Sequence, residues 1–328
     1  MHTMATTAAH GGGGETSLNA ILNPQASNVN SGVSTTNSGK STSPSKVDCR
    51  RSLTPAERER MLNKRRKDFK SRLEDFTKKG GAVASFSGMS LDERQVQSAI
   101  NGVLNSQKVA VLNFDGLGRC VGDGNIGGVA SVISSWAKVH LKEVTLAACV
   151  IGPKGCKQVA EAMLHNPHIN FLSLKDNDVT GAGTDFSGIA ALARVLTHGD
   201  TKDCEASCYS LQRLDLSGNA LADRGLSELL PIVRTNSSIY QFNLARNLLG
   251  EVAGENLLEA LKIAGRSTRM CHMELHGNLF PLEIASKLRR TLEANMGKKF
   301  LSERLAKAKL TQLRQGDMHA PGSPSSSP

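Results

Sequence analysis

The chain has 328 residues, with 40 Lys and Arg against 30 Asp and Glu for a net charge of +10, and only nine Phe, two Tyr and one Trp. So few rings argue against an aromatic base-stacking platform, making nucleic acid an unfavoured partner, and leave Leu, Ala, Val and Ile to build the core of one large or two modest domains. No apolar run reaches the roughly 18 residues that span a bilayer, and seven scattered cysteines, an odd number, suit reduced thiols better than a disulfide framework.

The Met1 to Met4 start has neither a basic n-region nor a Leu-rich h-region, so a soluble cytoplasmic protein is expected. Residues 1–49 hold Gly11 to Gly14, much Ser, Thr and Asn and few charges. Such a segment cannot bury enough apolar surface to offset its chain entropy and is expected to be a disordered tail. Residues 50–79 carry 12 basic and 5 acidic side chains. Thr54-Pro55-Ala56-Glu57 is a capping box with proline at the first helical position, which predicts a helix ending at Gly80-Gly81. Leu62, Phe69, Leu73 and Phe76 form a thin apolar stripe on it, surrounded by Lys64, Arg65, Arg66, Lys67, Lys70 and Arg72. These six are the candidate anchor for an acidic partner surface, and Lys64 to Lys67 also fit a nuclear-import cluster.

Next, Leu91, Val96, Ala99, Ile100, Val103 and Leu104 predict a helix that caps the exposed edge of the first strand. Beyond it the pattern L-x-x-L-x-L-x-x-N/C-x-L recurs from Leu141, Ile169, Leu211, Ile239 and Met270, after an irregular opening copy at Val109, Leu112 and Phe114. Alternation within each copy predicts a short strand, and the inward Asn177, Asn219, Asn247 and Asn278, with Cys149 in the first, are placed to satisfy backbone groups of neighbouring turns. Helical spacing follows each strand, over 158–164, 189–196, 226–233, 256–263 and 284–292. A strand and a helix in about 28 residues predict an α/β solenoid of about six repeats over residues 80–296, bent into a horseshoe with parallel strands on the concave side and helices on the convex side. About 14 extra residues near Thr197 to Ser210 map to a loop, and residues 297–328 predict a second basic helix and a Pro/Ser tail.

These repeats resemble the leucine-rich repeats of the ribonuclease-inhibitor-like class, found also in Ran GTPase-activating proteins, NOD-type receptors and leucine-rich axonemal subunits. The resemblance covers about residues 90–295 and implies a concave face that binds protein. By alternation that face would present Glu143, Thr145, Phe171, Ser173, Lys175, Arg213, Asp215, Gln241, Asn243, His272, Glu274 and His276. The reading that follows is a non-enzymatic scaffold holding a protein on this face while a basic helix docks on an acidic surface such as a microtubule, in a cytoskeletal or ciliary setting. The alternative is a Ran-type regulator of a small GTPase, for which Arg119 is the residue to test; a basic C-terminus in place of a long acidic tail counts against it.

No cofactor is expected. Gly39-Lys40-Ser41 lacks the first glycine of a phosphate-binding loop, and Gly116, Gly118 and Gly122 miss the dinucleotide spacing. His198, Cys204 and Cys208 fall short of a closed zinc set, and His272, Glu274 and His276 read as a polar contact patch before a metal site. No catalytic triad can be assigned.

Overall fold

In the computed structural model, the described residues are 54–135, 138–197, 210–265, 270 and 272–295. The 1–49 tail, most of the 197–210 insertion and the 297–328 segment lie outside them. A helix, α1 (Pro55–Thr77), is followed by the strand–helix pairs β1 (Val83–Ser85) and α2 (Glu93–Leu104), β2 (Val111–Asn113) and α3 (Ile126–Ser134), β3 (Glu143–Thr145) and α4 (Pro153–Met163), and β4 (Phe171–Ser173) and α5 (Ser187–Thr197). Then come β5 (Arg213–Asp215) and α6 (Ala222–Thr235), β6 (Gln241–Asn243) and α7 (Glu251–Ala264), and β7 (His272–Glu274) with α8 over 282–295. The seven strands form one sheet in chain order, every pair parallel.

Each strand is three residues long because only its middle residue points to the helices. Ala84, Leu112, Val144, Leu172, Leu214 and Phe242 fill those positions and are buried. The helices return the apolar side of their own period: Cys156, Val159, Ala160 and Met163 from α4, and Leu226, Leu229, Ile232 and Val233 from α6. One contiguous core runs from Phe76 to Leu292 between the two layers.

The tight turn after each strand leaves backbone groups that the sheet cannot satisfy, and the repeated asparagine satisfies them. Asn177 donates through Nδ2 to the carbonyls of Leu146 (2.8 Å) and Leu174 (2.9 Å), while its Oδ1 accepts from the amides of Cys149 (2.9 Å) and Ile151 (3.0 Å). Asn219 donates to Leu174 O and Leu216 O, and Asn247 accepts from the Asn219 amide and donates to Leu216 O, each at 2.9 Å. Asn278 accepts from the Asn247 amide at 2.8 Å. In the first copy Cys149 Sγ donates to Phe114 O at 3.1 Å, so the thiol takes the amide's place with a single donor. Carboxylates stitch the helix starts likewise: Asp123 accepts from Gly152 N (2.6 Å) and Gly155 N (2.9 Å) at the start of α4, and Asp223 from Gly250 N (2.6 Å) at that of α7.

The N-terminal end differs from expectation. Val83–Ser85 is a seventh strand that pairs with β2, so α2 is the helix of a first repeat and not a cap over the sheet edge. The signal is weak because Ala84 stands where the other copies carry Leu, Val, Phe or Met. The cap is α1. Its capping box forms as written in the sequence, with Thr54 Oγ1 accepting from Glu57 N and Glu57 Oε2 accepting from Thr54 N, a bond that holds the Glu57 carboxyl below its usual range. Its last turns lay Phe76 edge-on against Phe86, ring centroids 6.0 Å apart, with Phe69 on the same ring at 5.7 Å. Arg72 Nη1 donates to Ser85 O at 3.0 Å, occupying a carbonyl of the edge strand.

Leu216 has no exposed surface at the centre of the sheet. Leu216→Asp is expected to cost roughly 3–5 kcal/mol and lower the melting midpoint of the whole solenoid in one transition, as read by circular dichroism. Burial pushes the thiols of Cys149 and Cys156 up to about 12, the latter with help from the nearby Asp123 carboxylate. Neither is expected to react with iodoacetamide at about pH 8 until the chain unfolds, as peptide mapping will show. Stability is complete below the unfolded thiol value of about 8.5 and falls as pH rises towards 12, because only the unfolded chain ionises these groups in that window.

Candidate protein-binding face

Strand register turns the outward positions into two rows across the sheet. Glu143, Phe171, Arg213, Gln241 and His272 are direct neighbours in one, and Thr145, Ser173, Asp215, Asn243 and Glu274 in the other. Lys175 and His276 stand two residues beyond their strands. All the side chains expected on this face are therefore brought together, but unequally. Ser173 is only 5 % exposed, and the Thr145 hydroxyl is buried with no hydrogen-bond partner among the described residues. His272, Glu274 and His276 are exposed at the far edge. Among the described residues no group of three or more His, Cys, Asp or Glu could hold a metal ion.

The centre of the first row is a built cluster. Arg213 reaches back across β4 so that its Nη2 meets Glu143 Oε1 at 2.8 Å, and its guanidinium lies 4.2 Å from the centre of the Phe171 ring. Two strand spacings, about 9.6 Å, separate the two backbones, a span that the long arginine side chain closes only by lying over the ring between them. Both partners of the ion pair are about one third exposed, at 33 % and 34 %, so the pair contributes at most about 1 kcal/mol to stability. Its main effect is to hold a half-buried ring flat beneath a cation.

A second cluster lies in the turns after the strands. Arg246 Nη2 meets Asp176 Oδ1 at 2.9 Å, again skipping one repeat, and Lys175 Nζ lies 3.9 Å from Asp176 Oδ2. The position before each ladder asparagine is left-handed, with φ of 52° at Asp176, 70° at Gly218, 55° at Arg246 and 70° at Gly277. The intervening Gly218 makes the bridge feasible, because a Cβ there would collide with the Asp176 carboxylate. Gly277 likewise leaves room for Arg246 Cγ, which would be 2.8 Å from a Cβ. Alternation along the strand does not reach Asp176 or Arg246. The signal that does is a charged residue in a left-handed slot that other copies fill with Gly116, Gly218 and Gly277.

On α1, Lys64, Arg65, Arg66 and Lys67 are exposed and make no hydrogen bond or ion pair among the described residues, whereas Arg72 is engaged at the sheet edge. Arg119 is exposed in the 3-10 turn Gly118–Cys120 after β2. Gly39-Lys40-Ser41 and the set His198, Cys204 and Cys208 lie outside the described residues. No described helix is long and apolar enough to cross a membrane.

A family model described as Leucine Rich repeat matches residues 165–184 and 207–230. Mouse NACHT, LRR and PYD domains-containing protein 14 is 28% identical over 123 residues, which are 38% of this chain and 11% of that protein. Rat leucine-rich repeat-containing protein 14 is 30% identical over 125 residues, 34% of this chain and 25% of that one. The chain thus spans a quarter or less of these relatives. A solved structure of the tropomodulin C-terminal domain from Caenorhabditis elegans is similar at 19% identity, covering 54% of this chain and 98% of that one with a TM-score of 0.39.

Gly218→Ala is expected to destabilise the chain by about 1–3 kcal/mol, through the strained φ and the displaced Asp176 carboxylate together. Adding Asp176→Ala is expected to recover part of that loss, as a double-mutant cycle by urea denaturation will show.

Proposed function

We propose that this leucine-rich repeat chain is a non-enzymatic protein-interaction scaffold, its sheet face holding a protein partner and the basic face of α1 meeting an acidic surface. The observation that carries the reading is Phe171, a ring held in place by Arg213 and Glu143 on a face whose other side chains are polar. Aromatic and arginine anchors of this kind dominate binding energy in protein interfaces, and a pre-set ring loses little freedom when a partner covers it. On α1, Lys64, Arg65, Arg66 and Lys67 make no ion pair among the described residues and attract anions over a screening length of about 8 Å at physiological salt. An acidic cytoskeletal surface such as a microtubule, within a cytoplasmic or ciliary setting, suits that charge.

The two halves of the reading are separable. Phe171→Ala and Arg213→Glu are expected to reduce recovery of a specific partner by about tenfold or more in quantitative co-purification from cells, with the melting midpoint little changed. Changing Lys64, Arg65, Arg66 and Lys67 together to Ala is expected to abolish salt-sensitive co-sedimentation with microtubules while leaving that partner bound. Co-sedimentation that survives this change, or that ignores salt, removes the acidic-surface half.

A further inference from the structure

Between α1 and the loop from β1 to α2 lies an open recess of about 410 Å³. Arg65 and Arg72 reach it from α1, seven residues or about two turns apart, and therefore on one side of the helix. Ser71, Ser87 and Ser90 add hydroxyls, and Asp68 stands at the side. Among the described residues Arg65 and the three serine hydroxyls have no hydrogen-bond partner. Arg72 uses one donor on Ser85 O and keeps four. The loop is not slack: Gly88 N donates to Asp115 O at 3.1 Å and Met89 N to Phe86 O at 3.2 Å, tying it to β2's turn and to the aromatic cluster beneath. At Gly88, with φ of 70°, nothing lies within 4 Å of where a Cβ would stand, so the backbone there faces open space.

We propose that this recess binds a phosphorylated serine or threonine in a partner peptide. Two guanidinium groups and three hydroxyls offer more donors than the two oxygens of a carboxylate can use, and match the three free oxygens of a phosphate monoester. Asp68 at the side repels any anion but is outnumbered by the two guanidinium groups, and it gives a basic residue beside the phosphate a partner. No aromatic ring lines the recess to stack a base, which disfavours a nucleotide as the source of the phosphate. The proposal takes from the scaffold reading only that α1 faces anions, and it is independent of what the sheet face holds.

The test is fluorescence anisotropy with the full chain and a fluorescein-labelled peptide carrying one phosphoserine next to a lysine, at about 150 mM salt, where non-specific charge attraction is screened. The phosphopeptide is expected to saturate, with its unphosphorylated and glutamate counterparts at least about tenfold weaker. Arg65→Ala is expected to weaken binding about tenfold and Arg65→Lys less, because lysine keeps the charge and loses the fork. Lys64→Ala with Arg66→Ala, neither of which lines the recess, is expected to change it by less than about twofold. Since Arg72→Ala also uncovers the edge of β1, Ser90→Ala serves as the second lining variant, and melting midpoints accompany each. A glutamate peptide that binds equally well, a Lys64 and Arg66 double variant as weak as Arg65→Ala, or inorganic phosphate that displaces the peptide at the peptide's own concentration each overturns the proposal. The first two results leave α1 as a diffuse basic surface, with the acidic-surface reading intact. No saturation with any peptide overturns the site outright.

Discussion

Every repeat of this chain must turn from a three-residue strand towards a helix inside an apolar core, where water cannot reach the backbone groups that the turn exposes. An unsatisfied buried amide or carbonyl costs on the order of 1–3 kcal/mol, and the same turn recurs along the chain. The inward asparagine is the solution because its amide both donates and accepts, and so links the turn it belongs to with the turn before. Asn219 and Asn247 are fully buried for this reason, and their bonds run along the solenoid as a polar ladder through an apolar interior. The ladder fixes the rise from one repeat to the next. The row positions on the sheet face, and hence the distances between charges on it, follow from that spacing.

A structure that grows by stacking has a problem at its first unit, which has no predecessor to bury its open side. Here the answer is α1, which turns an otherwise polar helix into a cap through one short apolar end. Phe69 and Phe76 sit on Phe86, Leu73 packs against the same core, and Arg72 covers Ser85 O, while Lys64, Arg65, Arg66 and Lys67 make no hydrogen bond or ion pair among the described residues. Division of labour along one helix explains a composition that looks contradictory, with basic residues on all sides of a stripe too thin for a core. The stripe needs to cover only a single strand edge.

The repeat itself was legible in the sequence because its signal is geometric: apolar residues at fixed offsets and an asparagine where only a buried, two-way hydrogen-bonding group fits. Helix starts were less so. The expected helices began up to five residues late, as at α4 and α7, because the first turn of each is held by Pro153 or by a carboxylate from the preceding repeat and carries little apolar periodicity. β1 was missed for a related reason, since Ala84 buries too little surface to mark a strand. On the sheet face the alternation located Glu143, Phe171 and Arg213 but said nothing of their mutual contact. Reaching across two strands depends on side-chain length and on what lies between, which linear spacing does not encode. Asp176 and Arg246 escaped because their placement follows from left-handed backbone and the absence of a Cβ at Gly218.

The two arginine ion pairs on the sheet side share a direction that bears on how such a face works. Each arginine comes from the later repeat and folds back over the intervening one, over a ring in one case and over a glycine in the other. Glu143 and Asp176 are thereby neutralised by the two arginines, and these long side chains are already ordered before any partner arrives. A surface arranged in this way contributes little long-range attraction, since paired charges cancel beyond a few ångströms, but loses little entropy on contact. The unpaired cations of α1 have the reverse properties: they act at a distance and are free to move. In the proposed scaffold, capture by α1 and discrimination on the sheet are then different physical tasks for different elements. Raising the salt concentration should slow association through α1 while leaving the lifetime of a complex on the sheet face nearly unchanged.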